Sequence, residues 1–274
     1  MIKLLNNCYA YGSLEKDLKD LKNKFPDLCV FSIGRSILGR DIYALKLGHG
    51  ARRIFYSGAY HGMESLTARV LVRFVGELSY MLAADKTPDL LDGTTLYIVP
   101  MVNPDGVEIA GSGERWQANA RGVDINHNFD ALWELSKKTE EKYGVTGPGP
   151  TRYGGEYPES EPETKAIADF TRENRFDEVI ALHSQGEVIY YEFCGYVPDG
   201  TKELLNRFEA VSRYKRDEAL GISAYGGYKD WFIRKFKKPG FTIEVGLGKN
   251  PLPLSEFDEI YSGVREILFN AWSI

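Results

Sequence analysis

The chain has 274 residues, of which 43% are apolar and 27% charged, so it can bury a large core and still cover it with charge. A formal net charge of -5 argues against nucleic acid or an anionic membrane as the main partner. The three cysteines have no regular spacing, which excludes a disulfide framework. Neither a bilayer-length apolar run nor a signal-peptide core is present, so we expect a soluble, cytoplasmic protein.

Apolar periodicity predicts helices and strands along most of the chain. A helix over 13–25, capped by Ser13, precedes an antiparallel pair of strands at 29–34 and 41–48. Further strands are predicted at 53–57, 94–100, 178–182, 188–193 and 240–246. Further helices are predicted after residue 64, from a capping box at Ser160 to Asn174, over 201–217, over 228–236, and after a capping box at Ser255.

The strand–helix–strand order predicts an α/β fold with parallel crossovers. In such sheets the functional loops lie beyond the carboxyl ends of the strands. Residues 103–106 carry a dense turn signal, and the irregular stretches 111–130 and 144–158 are typical of functional rims or lids. No repeat, low-complexity tract or linker interrupts the chain, so residues 1–274 are predicted to form one domain.

Two histidines emerge at the carboxyl ends of predicted buried strands. His61 stands three residues before Glu64 in the loop after strand 53–57, and His183 follows strand 178–182. A catalytic zinc site takes three protein ligands of these types and leaves a fourth position open. Taken alone, Glu64 is equally well explained as a charge that complements the dipole of the following helix. The second strand-end histidine favours the metal-site interpretation.

The last predicted strand carries a carboxylate, Glu244, on the face opposite its apolar side chains. One interpretation is an exposed residue on the solvent side of the sheet. The other is a general base in a cleft, positioned to take a proton from a water activated by metal. Periodicity alone leaves both interpretations open.

Five short motifs, in order and spacing, make the chain similar to the zinc metallocarboxypeptidase family, the group related to carboxypeptidases A and B. They are His61-Gly62-Met63-Glu64, the loop 100–106, the segment 121–129, Leu182-His183-Ser184 and Thr242-Ile243-Glu244-Val245. The resemblance implies one Zn2+ ion held by His61, Glu64 and His183, with Glu244 as the general base. It also implies a mixed, mostly parallel eight-stranded sheet with helices on both faces.

Two positions depart from the family's pattern. The family's Asn-Arg-Asn motif, which clamps a substrate carboxylate, is here Asn126-His127-Asn128. Histidine is shorter than arginine and cannot offer its bidentate fork, so ordinary carboxypeptidase specificity is in question. By spacing, the family's oxyanion-stabilising arginine would stand near Gln117, which leaves Arg115 or Arg121 as substitutes. Arg121 is the preferred one.

The family also has a mobile tyrosine that helps to bind substrate, and Tyr225 and Tyr228 both stand in the corresponding neighbourhood. A packed aromatic is an equally good interpretation of each.

The segments 116–124, 183–187 and 229–231 resemble one branch in particular, the bacterial γ-D-glutamyl-meso-diaminopimelate peptidases. This resemblance implies a small cell-wall peptide as substrate, with neither nucleic acid nor membrane as partner. The alternatives are a conventional metallocarboxypeptidase, a zinc amidoacid deacylase and a zinc-binding module without catalysis.

Overall fold

The computed structural model describes residues 8–84 and 91–272. Their strands are β1 Cys29–Arg35, β2 Asp41–Gly48, β3 Arg52–Gly58, β4 Thr94–Val99, β5 Glu178–His183, β6 Val188–Tyr190, β7 Lys215–Asp217 and β8 Gly240–Glu244. Their α-helices are α1 Tyr11–Lys24, α2 Ser65–Ala83, α3 Pro104–Gly111, α4 Trp133–Lys142, α5 Pro162–Asn174, α6 Thr201–Val211, α7 Tyr228–Phe236 and α8 Phe257–Asn270.

All eight strands belong to one sheet, in the order β1-β2-β4-β3-β5-β8-β6-β7. The pairs β3/β4, β3/β5, β5/β8 and β6/β7 are parallel. The pairs β1/β2, β2/β4 and β6/β8 are antiparallel. The mixed, mostly parallel eight-stranded sheet is therefore confirmed, as is the antiparallel pairing of the first two strands.

Side chains that alternate along the central strands divide the interior into two apolar layers. In β3, Ile54 and Tyr56 pack into one layer, whereas Phe55 packs into the other. Buried side chains of α1, α2, α6 and α8 fill the first layer, and those of α5 and α7 fill the second. Because strand side chains alternate with a period of two, each layer needs its own covering helices, and helices lie on both faces.

The register of the central strands brings the predicted site residues to one edge of the sheet. Strands β3, β5 and β8 run parallel, so their carboxyl ends lie together. His183 at the end of β5 is the direct neighbour of Glu244 at the end of β8. In a parallel pair, directly paired residues point to the same face.

No described helix is both long and apolar enough to cross a membrane.

The predicted helix caps were wrong. Helix α1 begins two residues before Ser13, which therefore lies inside it. The residue that precedes α5 is Glu161, and its side chain caps no backbone group. The hydroxyl of Ser160 donates to the Glu161 carboxylate instead, at 2.8 Å, so no capping box forms. Helix α8 likewise begins after Glu256, without a side-chain cap from Ser255.

Three other segments also differ from the prediction. Asn103 does not initiate an isolated turn, because its side chain accepts a hydrogen bond from the Gly106 amide and caps α3. The predicted helix over 201–217 ends at Val211, and residues 215–217 add a strand at the edge of the sheet. The predicted strand 188–193 pairs only over its first three residues, and α4 was not predicted.

Candidate metal centre

A tightly packed loop presents His61 and Glu64. It follows β3, makes a 3₁₀ turn at Gly62–Glu64 and leads directly into α2. The Gly62 amide donates to the carbonyl of Gln117 at 3.0 Å. A Cβ atom on Gly62 would lie 2.2 Å from the Gly106 carbonyl oxygen, so only glycine allows this close approach. The loop is thus held against its neighbours on both sides of the histidine.

The side chains of His61, Glu64 and His183 converge at the carboxyl edge of the sheet. One carboxylate oxygen of Glu64 lies 2.8 Å from His61 Nδ1, and the other lies 3.0 Å from His183 Nδ1. The two Nδ1 atoms are 3.3 Å apart. The structure therefore brings together the three residues that the sequence analysis selected as ligands.

This arrangement fits a zinc ion. Two imidazole nitrogens and a carboxylate are ligands that zinc prefers, at about 2.0–2.2 Å from the metal. Two such ligands in a tetrahedron lie roughly 3.4 Å apart, close to the 3.3 Å between the two Nδ1 atoms. The three residues form a group whose ligand atoms all lie within 4.8 Å of one another. Ligand type, number and spacing thus agree with a catalytic metal site.

Asp124 holds the far side of His61. Its Oδ1 lies 3.1 Å from His61 Nε2, so a carboxylate orients the ring while Nδ1 faces the other ligands. Such carboxylate–histidine pairs around metal sites raise the basicity of the ligand and fix its orientation. Burial alone would lower the pKa of His61, but Glu64 and Asp124 together raise it well above its usual value. Against the effect of burial, His61 and His183 lower the pKa of Glu64 to about 2.

Glu64 is held from a third direction by polar groups that follow β5 and β8. The backbone amide of Ser184 donates to its Oε2 at 3.3 Å, and Nδ2 of Asn250 donates to its Oε1 at 3.3 Å. Asn250 also donates to the Ser184 carbonyl at 2.6 Å, which links the two segments. Glu64 is therefore an oriented, buried carboxylate rather than an exposed charge at a helix end.

Glu244 lies beside this group without belonging to it. It pairs in register with His183, and its Oε2 is a buried oxygen without a hydrogen-bond partner among the described residues. Burial and the negative charge of Glu64 raise the pKa of Glu244 to about 8, against the opposing effect of His61. A carboxyl group whose pKa lies near neutral pH, next to a metal-ligand set, is suited to general acid–base chemistry.

The predicted carboxylate clamp lies around the 3₁₀ turn Ile125–His127. Asn126 is half-buried, and its Oδ1 accepts a hydrogen bond from the Tyr228 amide at 3.1 Å. The ring of His127 is buried, and its Nδ1 has no hydrogen-bond partner among the described residues. Burial holds the pKa of His127 below its usual value, so the ring is neutral at pH 7 and supplies no positive charge.

The two arginines proposed to stabilise the oxyanion differ in their ion-pair partners. Arg121 is exposed, and its Nε donates to Glu161 Oε2 at 3.1 Å. Arg115 is exposed and makes no ion pair within the described ranges. At the position where the family's arginine is expected, the Gln117 side chain accepts a hydrogen bond from the Thr151 hydroxyl.

The two candidate tyrosines occupy different environments. Tyr225 is half-buried and lines a cavity of about 460 Å³ together with Lys229 and Asp230. The Tyr228 ring is fully buried, and its hydroxyl lies 2.9 Å from that of Thr171. The structure therefore contradicts a substrate contact by Tyr228, because its ring packs in the core and its hydroxyl is satisfied there.

Sequence reasoning missed the supporting residues of the site. Asp124 and Asn250 both contact metal-ligand candidates, yet neither lies next to one in the sequence. Asp124 stands in a segment that resembles the family, which is the one signal that pointed towards it. Asn250 follows β8 in a short polar stretch that carries no signal of its own.

The model of the zinc carboxypeptidase family matches residues 14–266. A curated relative, gamma-D-glutamyl-L-diamino acid endopeptidase 1 from Lysinibacillus sphaericus, is 38% identical over 92% of this chain and 69% of its own length. Carboxypeptidase B from Rattus norvegicus is 28% identical over 86% of this chain and 62% of its own length.

Solved structures show the same fold. Bovine thrombin-activatable fibrinolysis inhibitor, in complex with tick carboxypeptidase inhibitor, superposes with a TM-score of 0.78 at 25% identity over 95% of both chains. The murein-tripeptide amidase MpaA from Escherichia coli O157 has a TM-score of 0.59 at 20% identity, over 89% of this chain and 92% of its own. The chain therefore belongs to the zinc carboxypeptidase family and is a metallopeptidase, a hydrolase of peptide bonds.

Proposed function

We propose that this protein hydrolyses the amide bond between a γ-linked D-glutamyl residue and a diaminopimelate-type diamino acid in bacterial cell-wall peptides. The observation that carries the catalytic part is the convergence of His61, Glu64 and His183 beside the partnerless oxygen of Glu244. The substrate part is supported by the 38% identity to a relative named for cleavage after γ-D-glutamyl residues. His127, in place of an arginine, disfavours the conventional carboxypeptidase alternative.

In this proposal one zinc ion is held by Nδ1 of His61, the Glu64 carboxylate and Nδ1 of His183. When bound, zinc supplies Lewis-acid polarisation and lowers the pKa of water to about 7. Asp124 keeps the His61 ring oriented through Nε2. Because the carboxylate of Glu64 is held by four surrounding groups, the ligand set is preorganised.

Glu244 would act as the general base and then as the general acid. Its carboxylate takes a proton from the attacking water and transfers it to the nitrogen of the leaving amine. Arg121 would stabilise the oxyanion of the scissile carbonyl, since its terminal guanidinium nitrogens have no partner among the described residues. Asn126, His127 and Tyr225 would line the substrate side of the cleft.

The same proposal places the whole catalytic function in a single domain spanning 1–274. A reducing, cytoplasmic location is supported by the state of Cys8, Cys29 and Cys194, none of which forms a disulfide.

A substrate panel tests the function. The wild-type protein, purified without added metal and assayed for bound zinc, would be incubated with γ-D-glutamyl-diaminopimelate, two C-terminal α-linked dipeptides (one apolar, one basic) and an N-acetyl amino acid. We expect the protein to cleave only the γ-linked peptide. Chelation of the metal should abolish this activity, and added zinc should restore it. Preference for the α-linked dipeptides would identify a conventional carboxypeptidase, and preference for the N-acetyl amino acid a deacylase.

Protein that neither contains nor takes up zinc would contradict the metal assignment itself. Zinc uptake without turnover of any substrate would instead favour a binding module.

A further inference from the structure

The substrate side of the cleft lacks an arginine at position 127, yet one unpaired arginine lies close by. Arg152 is exposed, and its guanidinium makes no ion pair or hydrogen bond within residues 8–84 and 91–272. Arg121, by contrast, is engaged by Glu161. A free guanidinium close to a catalytic centre is available to a charged ligand.

The backbone of Arg152 is tied to the metal-ligand set through a single carboxylate. Its amide donates to Asp124 Oδ2 at 2.8 Å, while Oδ1 of the same Asp124 lies 3.1 Å from His61 Nε2. The backbone of Asp124 in turn donates to the Tyr153 carbonyl at 2.7 Å. The position of Arg152 is therefore fixed relative to the ligand His61.

The rest of the segment is held just as firmly. The amides of Gln117 and Ala118 both donate to the Pro150 carbonyl, at 2.8 and 3.0 Å. Arg152 itself has a φ of 69°, a conformation that a non-glycine residue adopts only where its surroundings impose it. A rigid backbone that carries an exposed, flexible cation is a suitable arrangement for binding an anionic group.

The charge of Arg152 also acts at the position where the family carries its clamp. Burial lowers the pKa of His127 against the opposing charge of Asp124, and the positive charge of Arg152 is among the weaker effects that lower it further. Arg152 thus lies near enough to His127 to influence its pKa, and the buried Nδ1 of His127 has no hydrogen-bond partner in the part of the chain that the structure describes. Arg152 therefore provides a positive charge near His127, the position at which the family's motif has an arginine.

We propose that Arg152 is a specificity-determining residue that binds a carboxylate of the substrate on the side of the leaving amine. The proposal rests on the proposed function, in which a diamino acid with a free carboxylate next to the scissile bond leaves as the amine. Its planar guanidinium pairs with that carboxylate through two parallel hydrogen bonds. In this chain the segment before α5 thereby supplies the cation that Asn126-His127-Asn128 lacks.

The test compares Arg152→Ala, Arg152→Lys and Arg175→Ala, the last being a matched control at another exposed arginine with a positive φ of 50°, whose guanidinium has no partner among the described residues. Each is assayed on γ-D-glutamyl-diaminopimelate and on the same peptide with the carboxyl group next to the scissile bond converted to carboxamide. We expect Arg152→Ala to raise KM for the carboxylate peptide by about 10- to 100-fold, with kcat changed only a few-fold. For the carboxamide peptide, and for Arg175→Ala, we expect little change, and Arg152→Lys should fall between wild type and alanine.

Two results would overturn this assignment. An equal fall of kcat on both peptides would place Arg152 at the oxyanion, and unchanged kinetics would remove it from substrate binding. A calorimetric titration with free diaminopimelate separates this proposal from the proposed function. If the wild type binds diaminopimelate and Arg152→Ala does not, Arg152 is confirmed even where the γ-linked peptide is not cleaved. Equal binding by both proteins would overturn it.

Discussion

Strand β5 carries a buried ionisable group at each end, and the two ends differ in how that group is surrounded. At the carboxyl end, His183 meets Glu64 and His61, and Glu244 lies beside it in the next strand. At the amino end, Glu178 is 1% exposed and accepts a hydrogen bond from Arg52 at 3.0 Å. Its other oxygen is buried without a partner among the described residues.

Both ends of β5 therefore bury an ionisable side chain, but only the carboxyl end assembles a set of metal ligands. The carboxyl ends of β3, β5 and β8 bring side chains from separate parts of the chain to one place, as parallel sheets do. The amino end has one carboxylate whose pKa is raised to about 8, by burial against the opposing charges of Arg52 and Arg207. A perturbed pKa alone thus does not identify an active site, because burial of a structural carboxylate also produces one.

The largest expected effects come from two variants at the carboxyl end. His183→Ala removes a proposed ligand, so we expect loss of bound zinc together with loss of turnover. Glu244→Gln keeps the ligand set, so we expect near-normal zinc content but a kcat lowered by about 10²- to 10⁴-fold. Zinc content measured by atomic absorption, alongside kcat, separates the two roles. A fully active Glu244→Gln protein would remove the base assignment, and a zinc-replete His183→Ala protein the ligand assignment.

The variant Arg121→Ala tests whether the loop that follows α3 contributes a residue to the substrate cleft. If its guanidinium stabilises the oxyanion, Arg121→Ala should lower kcat by about 10²-fold. The Glu161 carboxylate that Arg121 contacts is buried, but Asn119 and Ser160 also donate hydrogen bonds to it, so thermal stability should change little. Arg175→Ala, at an exposed arginine that follows α5, is the matched control. Unchanged kcat in Arg121→Ala would restrict Arg121 to its pairing with Glu161.

We expect a substitution at the amino end of β5 to change the stability of the fold and to leave catalysis intact. The folded-state pKa of Glu178, about 8, lies above its ordinary value of 4.5. Its contribution to the free energy of unfolding is therefore complete below pH 4.5 and is lost as the pH rises through 8. The loss is on the order of a few kcal/mol for a fully buried group. Denaturant unfolding at pH 5 and pH 8 would show a smaller difference for Glu178→Gln than for wild type.

Glu173→Gln, at an exposed carboxylate of α5, is the control and should leave the difference unchanged. Turnover by Glu178→Gln should equal that of wild type. An unchanged pH dependence in Glu178→Gln would show that other groups, such as Glu163 with a pKa raised by burial to about 7, determine it.

Much of the fold could be predicted because its signals are local. The continuous apolar runs of β3, β4 and β5 predict buried strands, and each strand appears within two residues of its predicted position at either end. Helix starts were predicted less well, since Ser160 and Ser255 match a capping pattern but find other partners or none. The short strand β7 has no apolar pattern, because it lies exposed at the edge of the sheet.

The residues of the site likewise divide into those that could be predicted from the sequence and those that could not. His61, Glu64 and His183 could be selected from the sequence because each lies in a segment that follows a predicted strand, and because these segments resemble motifs of the family. The burial of Tyr228 could not be separated from a substrate contact, since both interpretations fit a tyrosine near a glycine-rich loop. Asp124 and Asn250 carry no local mark of their contacts with the ligands.

The sequence by itself thus determined where the apolar strands form, which of them lead into metal-binding side chains, and that position 127 lacks a guanidinium. These are properties of short segments, governed by side-chain periodicity and residue type. Only the tertiary structure decided that Asp124 ties Arg152 to His61, that Glu244 stands beside His183, and that Glu178 is buried at the opposite end of β5. Those relations depend on strand register and on contacts between residues far apart in the chain, which no local pattern encodes.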